Sequence, residues 1–119
     1  MCPGNHESAG KRLRGKTRKG NPWLRVALIE AAHAASRARG TYLAAQYRRL
    51  AARRGKKKAS VAVAHSILVI VYHLLTEATE YHDLGLQHFD RLDPDRLSRR
   101  LVRRLQDLGY TVRLERPAA

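Results

Sequence analysis

A single cysteine, Cys2, excludes an internal disulfide framework and any cysteine-built zinc cage, and gives no sign of an oxidising compartment. The first twenty residues hold no apolar run, which argues against a secretory signal peptide. The most apolar segment, Val61 to Leu75, is interrupted by His65, Ser66, Tyr72 and His73. It falls short of the roughly 20 apolar residues a bilayer span needs, so it reads as a buried core helix. The expectation is a soluble, cytoplasmic, nucleoid-associated chain with no membrane partner. Acids are also scarce. Glu30, Glu77, Glu80, Asp83, Asp90 and Asp93 form no spaced set suited to two magnesium ions, and no metal site is expected within the chain. The histidines add little to this. His65 and His73 share a helix face about 12 Å apart, too far for one metal ion. His82 and His88 fall in a loop, and His33 reads as a packing or solvent-facing residue.

What is abundant is positive charge. Lys and Arg number 24 against 10 Asp and Glu in 119 residues, a net charge of +14, and the hydrophobic share of 44% excludes a disordered basic tail. Such a balance points to a polyanionic partner, most simply DNA. Between Lys11 and Lys19 six of nine residues are basic: Lys11, Arg12, Arg14, Lys16, Arg18 and Lys19. Gly10, Gly15 and Gly20 are interleaved with them, so backbone N–H groups could approach phosphate oxygens. With Arg25 these are the candidate nucleic-acid-binding residues. The arm has no aromatic residue before Trp23, which disfavours a base-stacking single-strand platform.

Four helices are predicted behind this arm, in an all-α fold. Asn21-Pro22 opens the first by the cap-then-proline rule, and Gly40 closes it. Its apolar line is Trp23, Leu24, Ala27, Leu28, Ala31, Ala32 and Ala35. Thr41 caps a second helix, with Leu43, Tyr47 and Leu50 inward and Arg48, Arg49, Arg53 and Arg54 towards its end, where Gly55 stops it. Val61 to Leu75 forms the third and the centre of the fold, and residues 77–92 read as a loop. Asp93-Pro94 opens the fourth, with Leu97, Leu101, Leu105 and Leu108 as one stripe and arginines on the other faces. Tyr110, Val112 and Leu114 alternate with polar residues, which permits a short strand. The division is a basic arm at 1–20, a helical domain at 21–110 and a tail at 111–119.

Ser8 lies in His6-Glu7-Ser8-Ala9-Gly10-Lys11. A serine hydroxyl needs a base or nearby cations to act as a nucleophile, and Lys11 and Arg12 could also neutralise non-bridging phosphate oxygens. On the residues alone, a serine beside glycine in a loop is far more often a turn residue. Three further readings remain open: a non-catalytic nucleic-acid-binding module, an oligomer core built on Val61–Leu75, and, more weakly, membrane association through the fourth helix.

The run from Met1 to Arg12, then Gly15 to Asn21 and Trp23-Leu24-Arg25, resembles a segment of the DEDD transposases of the insertion-sequence one-ten family, the RNA-guided recombinases. Gly40 to Ala44, Arg53 to Ala59 and Val63 to Leu68 resemble the same family's carboxy-terminal region. The resemblance implies that Ser8, with Ala9 and Gly10, is the serine that attacks a DNA phosphodiester in transposition. It implies DNA and guide RNA as partners and a homo-oligomeric full-length protein. It also implies an amino-terminal RuvC-like domain with four acidic residues that bind Mg2+. Those acids have no counterpart here, and the chain opens inside the motif. The expectation is therefore a truncated transposase, without a cofactor of its own, that binds nucleic acid and does not recombine DNA unaided.

Overall fold

The computed structural model describes residue 4 and residues 6–115, with backbone alone at 12–14. The chain separates into two compact units, Met1–Leu86 and Gln87–Ala119. The boundary lies inside the stretch 21–110 that reads as one helical domain. The fold is predominantly helical, as expected, with five helices among the described residues rather than four.

The first unit begins with two short strands, β1 (His6–Ser8) and β2 (Lys11–Arg14), paired antiparallel. The sequence reads this stretch as a basic arm, and the structure pairs part of it into a hairpin. Ala9 and Gly10 make the connection, with φ of 50° and 71°. Positive φ at both central residues is the pattern of a type I′ turn, whose twist matches that of paired strands. The register runs Ser8 opposite Lys11, Glu7 opposite Arg12 and His6 opposite Arg14, so Leu13 is an extra residue in β2. An extra residue of this kind is a bulge, and it destroys the alternation that would reveal a strand in sequence.

Three helices follow: α1 (Pro22–Arg37), α2 (Tyr42–Arg54) and α3 (Lys56–Glu77). The caps read from sequence are in place. The Asn21 side chain accepts from the Leu24 N–H at 3.1 Å, and the Thr41 hydroxyl accepts from the Ala44 N–H at 3.3 Å. Each satisfies one of the orphan donors of a first helical turn. α1 stops at Arg37, three residues short of Gly40. Gly55 alone joins α2 to α3, at φ 86° and ψ 157°. That region of backbone space is essentially closed to residues with a Cβ.

The core of this unit is small and built from small residues. Leu28 and Ala32 of α1 and Val63 and Ala64 of α3 form its centre, with Ile29, Leu43, Tyr47, Ile67 and Leu68 packed around them. Ala44 and Ala59 are fully buried as well. Alanines at these positions let the helix axes approach closely. The predicted stripe of α1 is narrower than its spacing suggests: Trp23 is 82% exposed, and Ala27 and Ala31 face solvent. The apolar segment is also only half a core helix. Its first turns are buried, whereas Val69, Val71, Tyr72 and Leu75 are exposed. α3 has the length and composition to cross a membrane, and its first half packs against α1 and α2.

Polar contacts lock the same three helices. Gln46 Nε2 of α2 donates to Ser66 Oγ of α3 at 2.9 Å, and His33 of α1 meets Ser60 of α3 at 3.0 Å. His33 is therefore a bonded residue rather than a free surface one. Beyond α3, the Asp83 carboxylate accepts from the Tyr42 N–H at 3.0 Å, the Gly85 N–H at 2.7 Å and the Tyr81 hydroxyl at 2.9 Å. A carboxylate at the first N–H of a helix suits the positive end of its dipole, and this one ties the loop after α3 back to the start of α2.

The second unit holds α4 (His88–Leu92) and α5 (Pro94–Asp107). α4 lies within the stretch read as loop. Asp93 caps α5 as predicted, its side chain accepting from the Arg96 N–H at 3.0 Å. Leu101, Leu105 and Leu108 of the predicted stripe remain exposed. Residues 110–115 form no strand. Alternation permits one there, but a strand needs a partner edge and none is paired with it.

Candidate nucleic-acid interface

Charge is unevenly divided. Residues 1–86 hold sixteen Lys and Arg against five acids, and residues 87–119 hold eight against five. The candidate interface therefore belongs to the first unit.

Ser8 ends β1 immediately before the turn, with an exposed side chain. Its direct cross-strand neighbour is Lys11. Directly opposed residues lie on one face of a hairpin with Cβ atoms about 4.5–5.5 Å apart. The fold thus places a cation beside the hydroxyl that sequence reasoning singled out. Among the described residues, no hydrogen bond is made to the Ser8 side chain. Arg12 and Arg14 stand in β2, where only the backbone is described.

After the hairpin the chain runs through residues 15–21 to α1. A side chain at residue 4 would collide with the Lys16 carbonyl, so Gly4 allows the segment before β1 to lie against this loop. Two clefts flank the loop. The larger, about 740 Å³, is bounded by residues 15–17, Arg25 of α1 and the first three turns of α3, including Lys57, Lys58 and His65. The smaller, about 260 Å³, lies among residues 17–21, Leu24, Arg25 and Leu28. Thr17 and Arg25 line both. Of the predicted nucleic-acid-binding residues, Lys16 and Arg25 thus meet at the first cleft, and Arg18, Lys19 and Arg25 at the second. Lys11 stands apart beside Ser8.

Sequence reasoning missed the part played by α3. Lys56, Lys57 and Lys58 form its first turn, with no acid among them, and its last turn carries Glu77 and no base. Each charge in those end turns opposes the helix dipole, a mismatch of about 0.3–1 kcal/mol per exposed charge. Arg53 and Arg54 end α2, where the dipole favours them. The lysine run is visible in the sequence, but nothing local shows that it faces Lys16 and Arg25.

Among the described residues, no three His, Cys, Asp or Glu side chains converge on a point, so the carboxylates present do not fit a metal-binding acidic centre. What the site offers is a dense cationic surface behind a hairpin that presents a serine, an arrangement suited to a phosphate backbone. Residues 1–48 match the model of the transposase IS116/IS110/IS902 family, a stretch that includes the hairpin, all of α1 and the first half of α2. The match supports the transposase family that the residues resemble. No curated protein and no solved structure matches the chain.

Proposed function

We propose that this chain is a transposase segment that binds DNA through the cations of its first unit and carries, in Ser8, the nucleophile of DNA transposition. The observation that carries the reading is the family match over residues 1–48, which contains Ser8 and every predicted nucleic-acid-binding residue. In the proposed step Ser8 Oγ attacks a backbone phosphorus. An Oγ–P bond forms and one P–O bond to a sugar breaks. The serine proton leaves to solvent or a base, and the departing sugar oxygen takes up a proton. Lys11, across the hairpin, lies where it can offset charge on the non-bridging oxygens.

On this reading the chain alone binds DNA and does not recombine it, because no metal-binding acidic set is gathered among its described residues. The test has two parts. The 119-residue chain should bind duplex DNA with a log–log salt slope near about −5, as about six phosphate contacts require. Ser8→Ala should leave that affinity unchanged and abolish covalent DNA capture when an acidic, Mg2+-binding domain is fused ahead of the chain. Strand cutting by the isolated chain with magnesium, or covalent capture surviving Ser8→Ala, would overturn the mechanism. A slope near zero would overturn the binding. An unfused chain that binds DNA identically with and without Ser8, and a fused one that never forms an adduct, would favour a non-catalytic binding module.

A further inference from the structure

The larger cleft has two kinds of wall. Lys16 from the loop, Arg25 from α1, and Lys57 and Lys58 from α3 stand around it. No carboxylate lines it, and among the described residues none of these four cations is held in an ion pair. On α3 the residues fall in two rows spaced by four, Lys57-Val61-His65 and Lys58-Ala62, so one helix face passes from cations to an apolar floor. At about 740 Å³ the cleft is in the range of sites that enclose a whole small ligand.

A duplex would use only half of this. Its phosphates lie on the outside of a stacked rod, where they could meet the cations while the floor stayed in water. A strand with unstacked bases can use both, because each nucleotide brings an anion and an apolar ring face joined by a sugar. We propose that the cleft takes one nucleotide of a single strand, with its phosphate among Lys16, Arg25, Lys57 and Lys58 and its base against Val61, Ala62 and His65. The anion also relieves the three lysines gathered at the positive end of α3. The inference rests on the nucleic-acid reading above. It adds a site on α3, outside the matched residues 1–48, and a preference for unpaired strand.

The experiment is an anisotropy titration of the full 119-residue chain with labelled oligo(dT), oligo(U) and a duplex of equal length. Lys57→Gln with Lys58→Gln should weaken single-strand binding about tenfold and flatten the log–log salt slope by up to about 0.7, the share of the one phosphate they hold together. Arg103→Gln with Arg104→Gln removes the same charge from α5 and should cost much less. Ala62→Phe, which fills the floor, should weaken single-strand binding while leaving duplex binding unchanged. Val61→Ser, which makes the floor polar without enlarging it, should act in the same direction and replaces Ala62→Phe as the test where circular dichroism shows that the larger side chain disturbs folding. A preference for either oligo(dT) or oligo(U) fits the proposal and tells DNA from RNA as the source. If the α3 pair costs no more than the α5 pair, or the floor variants weaken duplex and single strand equally, the cleft inference falls and DNA binding stands. If the unaltered chain binds none of the three probes, both fall.

Discussion

The Nε2 atom of His33 lies 3.0 Å from the hydroxyl oxygen of Ser60, tying the middle of α1 to the start of α3. The Ser60 hydroxyl donates its one proton to the Lys56 carbonyl at 3.1 Å. With that proton on Lys56, the tautomer that carries a hydrogen on Nε2 completes the bond to His33. His33→Ala should cost about 1 kcal/mol, because Ser60 keeps its bond to Lys56. Ser60→Leu should cost about 1–3 kcal/mol, since Ser60 is buried among close-packed helices and a larger side chain overpacks them. Urea unfolding measures both; an unchanged midpoint for His33→Ala would mean that the bond contributes nothing to stability.

Asp83 and Tyr81 make the stability of the first unit depend on pH at both extremes. Slight burial works to raise the Asp83 pKa, but the Tyr42 and Gly85 N–H groups and the Tyr81 hydroxyl outweigh it, and the carboxyl sits below its ordinary 3.8. A lowered folded pKa gives stability that is present above about 3.8 and lost as pH falls through the folded value. The Tyr81 hydroxyl is pushed up to about 12, by burial first and then by its bond to Asp83 and the charge there. Its contribution is whole below 10.0 and lost as pH rises towards about 12. In a phenolate absorbance titration one tyrosine should ionise later than the rest. Asp83→Asn should bring that tyrosine part of the way down, burial remaining, and remove the corresponding acid sensitivity. If its titration does not move in the variant, Asp83 contributes nothing to holding it.

Two backbone positions should respond to substitution with opposite signs. Gly55 has open space where a Cβ would lie, so Gly55→Ala meets strain in the backbone alone, about 1–3 kcal/mol. Because Gly55 sets the start of α3, the same change should also weaken nucleic-acid binding by Lys57 and Lys58. Ala9 is a non-glycine residue at positive φ. Ala9→Gly should relieve about 1 kcal/mol of that strain in the hairpin. Hydrogen exchange would show it as slower exchange of the β1 and β2 amides; faster exchange would mean that the alanine conformation is not strained.

Capping was the most legible part of the fold. Asn21, Thr41 and Asp93 each bond the N–H three residues on, because a cap is a local contest that a side chain wins on its own. The hairpin was not legible, since Ala-Gly is a poor signature for its turn and the bulge at Leu13 breaks the strand period. α4 is too short to carry a period. α3 begins at Lys56 rather than Val61 because lysine is a good helix former, and charge hides the helix start from a reading based on apolar spacing. The candidate site divided in the same way. The cations of the arm and Ser8 were visible as composition and motif. The partnership of Lys16 and Arg25 with Lys57 and Lys58 depends on how α1 and α3 pack, which no window of sequence contains.

Packing along α3 should be sharply graded. Val63 is the largest fully buried side chain among the described residues, in one cluster with Leu28 and Ala32 of α1, whereas Leu75, twelve residues on, is 79% exposed. A truncation at Val63 removes buried methyl groups and leaves a void that close-packed alanine neighbours cannot fill without moving their backbones. Val63→Ala should therefore cost about 1–2 kcal/mol. Leu75→Ala, at a site with little to lose, should stay within about 0.5 kcal/mol. Such a difference would place the stability of the first unit in the early turns of α3, the same turns that line the cationic cleft. Equal losses at the two positions would mean that the exposed end of α3 is packed in solution, and that the core extends along the whole helix.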